Sequence, residues 1–163
     1  MAYSSNIVKT KRDGTVTLKD GSAGPVSYIA NFNVGDFSWE DTKPDLIVIR
    51  DRASIVGARL ADDPEIAFSF SVHLRALTDS SNDTLLDFVN GTLSGATLTS
   101  VAVGGYEPFL CDVEFKMDAT ATLSDTKSYI ATFSKCRLIL SLSEGDPSSI
   151  SVSGTCLGGV AYT

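Results

Sequence analysis

The sequence predicts a mainly β fold: an antiparallel β-sandwich or barrel with one flanking α-helix and a long protruding hairpin. Three stretches carry that expectation. From Ile66 to Leu74 the residues alternate strictly, with Ile66, Phe68, Phe70, Val72 and Leu74 on one side and Ala67, Ser69, Ser71 and His73 on the other. Successive side chains of a strand point to opposite faces of a sheet, so this is a half-buried strand. Just beyond it, Leu85, Leu86, Phe88 and Val89 share one helical face, after the capping candidates Ser80, Ser81, Asn82 and Asp83 and before a left-handed stop at Asn90-Gly91. A helix of about ten residues is expected there, too short to persist in water unless its apolar face lies on the sheet or on a neighbouring chain. Lastly, residues 41–64, bounded by Lys43-Pro44-Asp45 and Asp62-Asp63-Pro64, hold two apolar arms that read as a hairpin.

Taken in order, the chain opens on a polar arm, residues 1–13, with Lys9, Lys11 and Arg12 before an Asp13-Gly14 turn. Thr15–Leu18 alternates as a short strand. Breaks at Asp20-Gly21 and Gly24-Pro25 precede a second strand over Val26–Val34, with Tyr28, Ala30, Phe32 and Val34 on one parity. The lone tryptophan, Trp39, reads as a core or interface anchor rather than a ligand-stacking platform. In the hairpin, Leu46, Ile47, Val48 and Ile49 form the first arm and Ile55-Val56-Gly57-Ala58 the second, joined by Arg50-Asp51-Arg52-Ala53-Ser54 and followed by Arg59. The first arm is apolar on both faces, whereas an outer hairpin ought to have one wet face. Either the body of the protein covers it or a second copy does, and the second expectation is the one we carry forward.

After the helix, Ala96–Val103 alternates weakly and Gly104-Gly105 turns. Phe109, Cys111, Val113, Phe115 and Met117 then line the core, with Asp112, Glu114 and Lys116 in water. Over Tyr129–Leu142 the pattern assigns Ile130, Cys136, Leu138, Leu140 and Leu142 to one parity. The other parity mixes Tyr129, Phe133 and Ile139 with Lys135 and Arg137, so one end is expected to be covered on both faces. Glu144-Gly145-Asp146-Pro147 turns into a last short strand with Ile150 and Val152 inward.

At 163 residues and 43% hydrophobic, the chain is expected to form a single domain. Its 13 basic and 20 acidic residues, net charge -7, argue against a general DNA-binding surface. The longest aliphatic run, Leu46–Ile49, is far too short to span a membrane, and no charged start followed by an apolar run marks an export signal. Cys111, Cys136 and Cys156 are an odd number without a C-x-x-C pair, and read as small buried hydrophobes in a reducing compartment.

Chemistry is sparse. His73 is the only histidine and no G-x-S-x-G elbow occurs, so serine-hydrolase chemistry has no base in reach. The acidic pairs Asp62-Asp63 and Asp112 with Glu114 fall in a turn and on a wet strand face. The oxygens of Asp79–Asp83 lack the glycine and distal glutamate of a calcium loop and are explained by capping. No phosphate loop is present, because Gly154–Gly159 has neither the lysine nor the following helix. No enzyme, cofactor or metal site is expected.

Two groups of phrases resemble a known family. Tyr129-Ile130-Ala131-Thr132-Phe133-Ser134-Lys135-Cys136-Arg137-Leu138, followed by Ser143–Pro147 and Ser151-Val152-Ser153-Gly154, resembles the closing strands of tail tube proteins from long-tailed bacteriophages. Phe68-Ser69-Phe70-Ser71-Val72 leading into Asp83-Thr84-Leu85-Leu86-Asp87-Phe88 is similar to that family's strand and single flanking helix. The resemblance implies rings, usually of six copies, stacked into a tube in the virion tail and assembled in the host cytoplasm. It implies partners that are other copies and the tail proteins at the tube ends, without membrane insertion. Genomic DNA would pass through an acidic lumen without specific binding. It also implies that the hairpin meets the adjoining ring, through Leu46, Ile47, Val48, Ile49, Arg50, Arg52, Ile55, Val56 and Arg59. The rivals are a tail terminator or neck ring protein, a tube protein of a contractile or secretion apparatus, and, from another class, a carbohydrate-binding sandwich.

Overall fold

The computed structural model describes residues 14–20, 25–30, 36–40, 43–61, 65–74, 84–92, 109–118, 128–145 and 147–163. In order these form β1 (Gly14–Lys19), β2 (Ser27–Ala30), β3 (Ser38–Trp39), β4 (Leu46–Asp51), β5 (Ser54–Leu60), β6 (Ile66–His73), α1 (Leu85–Val89), β7 (Cys111–Met117), β8 (Tyr129–Ser143), β9 (Ser149–Cys156) and β10 (Val160–Tyr162). Among the described residues the fold is mainly antiparallel β with one short helix, as expected, and the sheets are open. The main sheet runs β2-β1-β7-β8-β9-β6-β3, with β10 also on β8, while β4 and β5 make a separate two-stranded sheet. The expected arm at 1–13, the strand over Ala96–Val103, Phe32, Val34, Asp62-Asp63 and Ser80–Asp83 lie outside the described residues.

The main sheet bends at β8. Its first part, Tyr129–Phe133, pairs with β7 on one side and, from Ala131 onward, with β10 on the other, whereas Cys136–Ser143 pairs with β9. Between these parts the ladder with β7 slips by one residue. Lys135 takes up the slip in the left-handed region, at φ 55, and its N–H donates to Asp112 Oδ1 at 2.9 Å. A bulge of one residue turns every later side chain to the opposite face. Ala131 and Phe133 are therefore buried before it, and Cys136 after it, with Leu138 and Leu140 packed against the core. This corrects the single parity assigned to β8 at its first end, where Ile130 lies on the outer face; Leu142 keeps the parity of Leu140, opposite Ile150, and is half exposed at the strand's far end. Phe133, placed outside that parity, is fully buried.

Phe37 joins the two parts of the sheet. It stacks on Phe115 of β7 with ring centroids 4.5 Å apart, and lies 5.7 Å from Phe133 and 5.7 Å from Phe70. Trp39 packs beside it on Phe115 and Phe133 and donates Nε1–H to the Tyr162 hydroxyl at 3.3 Å, which makes it a core anchor. Cys111, Cys136 and Cys156 stand directly opposite one another on β7, β8 and β9, all buried and unbridged. Burial, then the neighbouring Asp112 charge, pushes the Cys111 thiol up to about 12. Burial, then the neighbouring thiols, raises Cys136 as well.

The helix is shorter than expected, five residues, and starts at an N-cap further along. Thr84 closes a reciprocal box with Asp87: Asp87 N–H donates to Thr84 Oγ1 at 3.3 Å and Thr84 N–H to Asp87 Oδ2 at 2.9 Å. The stop falls at Gly91 as read, with φ 69, where Gly91 N–H donates to Phe88 O and Thr92 N–H to Asp87 O. Leu85 and Phe88 enter the core, Phe88 between Tyr28 and Phe109.

Candidate assembly surface

The hairpin is built by its own ladder. Leu46 faces Leu60, Ile47 faces Arg59, Val48 faces Ala58 and Ile49 faces Gly57. The register then shifts so that Arg50 meets Ile55, leaving Val56 as the bulged residue. Ala61 N–H extends the ladder to Asp45 O at 2.7 Å. At the tip Asp51 pairs with Ser54 across a two-residue turn whose central residues, Arg52 and Ala53, have φ 44 and 73. Both therefore sit where Asn-Gly is the usual choice, because a left-handed backbone crowds a Cβ by about 1–2 kcal/mol per residue.

Among the described residues, no part of the protein's own body covers this element. Along β4 and β5 every residue but Gly57 is exposed, and the large aliphatics run from 38% exposed at Val48 to 68% at Leu60. The nine residues singled out in the sequence thus stand together and bare, with Leu46 and Val48 on one face and Ile47 and Ile49 on the other. Leu60 belongs with them and was missed. Continuing the hairpin register past Ala58 finds it, opposite Leu46. A lone two-stranded hairpin is marginal in water, and contiguous bare aliphatics mark a surface that something else covers.

Charge sets the hairpin apart as well. The two arms and their turn, residues 46–60, carry Arg50, Arg52 and Arg59 against Asp51, a net +2, while Asp41, Asp45, Asp62 and Asp63 beside Lys43 at the base bring residues 41–64 to -1.

A second surface was not legible in the sequence. Trp39, Met117, Tyr129, Ile130, Ala131, Tyr162 and Thr163 line a cleft of about 420 Å³ beside β10. Elsewhere, the outer face of β6, β9 and the second part of β8 is a wall of hydroxyls in register. Ser71, Ser151 and Ser141 form one row, and His73, Ser149 and Ser143 the next. Ser69, Ser153 and Ile139 follow, then Ala67, Thr155 and Arg137, and the Asp36 carboxylate caps the first row, accepting from the Ser71 N–H at 2.8 Å and from its hydroxyl.

The residues weighed for chemistry do not converge. His73 is exposed among serines, Glu114 is held by Lys19 Nζ at 2.6 Å, and Asp112 accepts from the Lys135 backbone. Among the described residues no group of three or more His, Cys, Asp or Glu is placed to hold a metal ion. What the arrangement offers is contact surface.

No family model and no curated protein matches the sequence. Solved structures do match the fold. A chain of the anti-feeding prophage cap, the AFP tube terminating cap, aligns over 100% of this chain and 95% of its own with a TM-score of 0.63 at 11% identity. One from the sheath/tube terminator of the PVC extracellular contractile injection system covers 100% and 99%, with a TM-score of 0.60 at 13% identity. One from the PVC sheath-tube complex in the extended state covers 92% and 87%, with a TM-score of 0.57 at 11% identity. At such identities the likeness is one of fold, and the chain has the tail-tube-like fold found in these contractile injection particles.

Proposed function

We propose that this protein is a structural subunit of a phage-like tail, acting as one domain that forms rings coaxial with the tube. The observation that carries the reading is the hairpin, bare on both faces, on a fold of this kind. The full-length likeness to chains from a tube terminator and a terminating cap favours a ring that ends the tube. A stacked tube ring is the second reading, favoured by a hairpin whose two faces both need cover. In either case the partners are other copies and neighbouring tail proteins. The role is assembly rather than catalysis, and the particle is the site of action. Where the cargo is DNA, an acidic bore keeps phosphate from adhering, over the 8–10 Å or so that charge reaches at ordinary salt.

Electron microscopy of the purified full-length protein tests this. Single rings support the terminator reading and hollow tubes the stacked one. A protein that stays monomeric at high concentration overturns both. The double variant Ile47→Asp, Ile49→Asp is expected to keep the wild-type circular dichroism and melting profile while losing stacking. Normal tubes from it would refute the hairpin's part.

A further inference from the structure

Three thiols stand in one line across the sheet, and assembly gives them no part. We propose that Cys136 and Cys156 are a modification site, at which a small-molecule disulfide closes a covalent bridge between β8 and β9 and leaves Cys111 as the free thiol. The inference is independent of how copies of the chain meet.

Register brings the pair together. Cys136 is the direct partner of both Cys156 and Cys111, and all three belong to the buried core. Directly opposed residues of antiparallel strands have Cα atoms about 4.5–5.5 Å apart, inside the roughly 4.4–6.8 Å that a disulfide spans. The bulge of β8 then decides between the two neighbours. Cys136 S–H donates to Phe133 O at 3.3 Å and Cys156 S–H to Ser134 O at 3.1 Å, so both sulfurs lie against consecutive carbonyls of one short segment. They are close enough for the Cys156 thiol to hydrogen-bond with Cys136. Cys111 meets the backbone instead, its S–H donating to Cys136 O at 3.6 Å, and it stands where the β7 ladder slips. From Cys136 onward the ladder with β9 is unbroken as far as Ser143 and Ser149, so a bridge there asks for no change of register.

Burial decides when the bond forms. The thiolate is the attacking species, and burial, then the neighbouring thiols, raises Cys136 above its ordinary value, so the closed fold resists oxidation. Access comes at the end of β9. Cys156 leads into half-exposed Leu157, and the turn beyond rests on the bulge through Gly158 N–H to Ser134 O at 2.9 Å and Ser134 N–H to Gly159 O at 3.1 Å. When that turn lifts, the Cys156 thiolate attacks one sulfur of the small disulfide, forming a mixed disulfide and releasing one thiolate. Cys136, deprotonated, attacks the Cys156 sulfur and expels the second. The protein loses two electrons and two protons, and the reagent gains them as two thiols. A chain made in a reducing compartment carries the dithiol and acquires the bond in an oxidising one.

The test uses the full chain, unfolded and refolded in glutathione buffers from fully reduced to fully oxidised, so that burial does not limit the rate. Samples are quenched in acid, free thiols are alkylated, and peptides of the natively folded fraction are mapped by mass spectrometry. At the oxidised end one bond within the chain, Cys136 to Cys156, is expected, with Cys111 alkylated. The melting temperature is expected to rise by roughly 5–10 °C over the reduced protein, because the bridge restrains the unfolded chain. Folded protein that keeps all three thiols overturns the site, as does a mixed disulfide with glutathione that goes no further, or a bond mainly between Cys111 and Cys136. Cys111→Ala is expected to leave the bridge and its glutathione midpoint unchanged. Loss of the bridge from that variant, folded as judged by circular dichroism, overturns the choice of pair.

Discussion

Among the described residues, Arg52, Ala53 and Lys135 are the non-glycine residues with positive φ, and each marks a place where the backbone does something the side chains do not announce. At the hairpin tip, Arg52→Asn with Ala53→Gly should relieve about 1–2 kcal/mol of crowding. The expected readout is slower amide exchange along β4 and β5. At Gly154 the constraint is the reverse. It faces Phe68 across the ladder, and a Cβ there would lie 2.1 Å from the ring's Cζ. Phe68 is held among Phe37 and Phe133 and has little room to yield. Gly154→Ala is therefore expected to cost about 1–3 kcal/mol in denaturant unfolding. Cys111 adds a pH dependence. Its folded value near 12 exceeds a thiol's ordinary 9.0, so its contribution is complete below 9.0 and is lost as pH rises through 9 towards 12. Thermal melts on the alkaline side should show this, and Cys111→Ala should flatten the slope.

At the scale of elements, periodicity was legible and irregularity was not. β6, β7 and β9 lie where alternation put them, because each keeps one parity from end to end. β8 was misread because its bulge uses Lys135 rather than a glycine, so nothing in the residue types marks the point where inward and outward exchange. The helix face and its Gly91 stop could be read. Its start could not, since Thr84 follows a run of equally good capping residues. Thr84→Ala is expected to cost about 1 kcal/mol by removing the cap. The side-chain and backbone hydrogen bonds from Thr84 hold the Asp87 carboxyl below its ordinary 3.8. That contribution is present above 3.8 and lost as pH falls through the lower folded value, so Asp87→Asn should blunt the acid limb of a pH–stability profile.

For the molecule as a whole, the hairpin was visible in the sequence because a segment greasy on both parities has no place on the outside of a small sandwich. The cleft was not, because its walls come from residues around 39, 117, 129 and 162, which only the folded sheet brings together. If Arg50, Arg52 and Arg59 meet carboxylates of another copy, association should weaken as salt rises, which sedimentation at several ionic strengths would measure. Salt-independent association would leave the aliphatic contact alone as the source of affinity. On the assembly reading, the same hairpin would also leave a newly made subunit open to proteolysis. Arg50 near the end of exposed β4 and Arg52 in the strained turn would suit a trypsin-like protease until a neighbour shields them. Surplus copies would be nicked there and barred from joining, while incorporated ones survive, so destruction itself would sort the spare from the built.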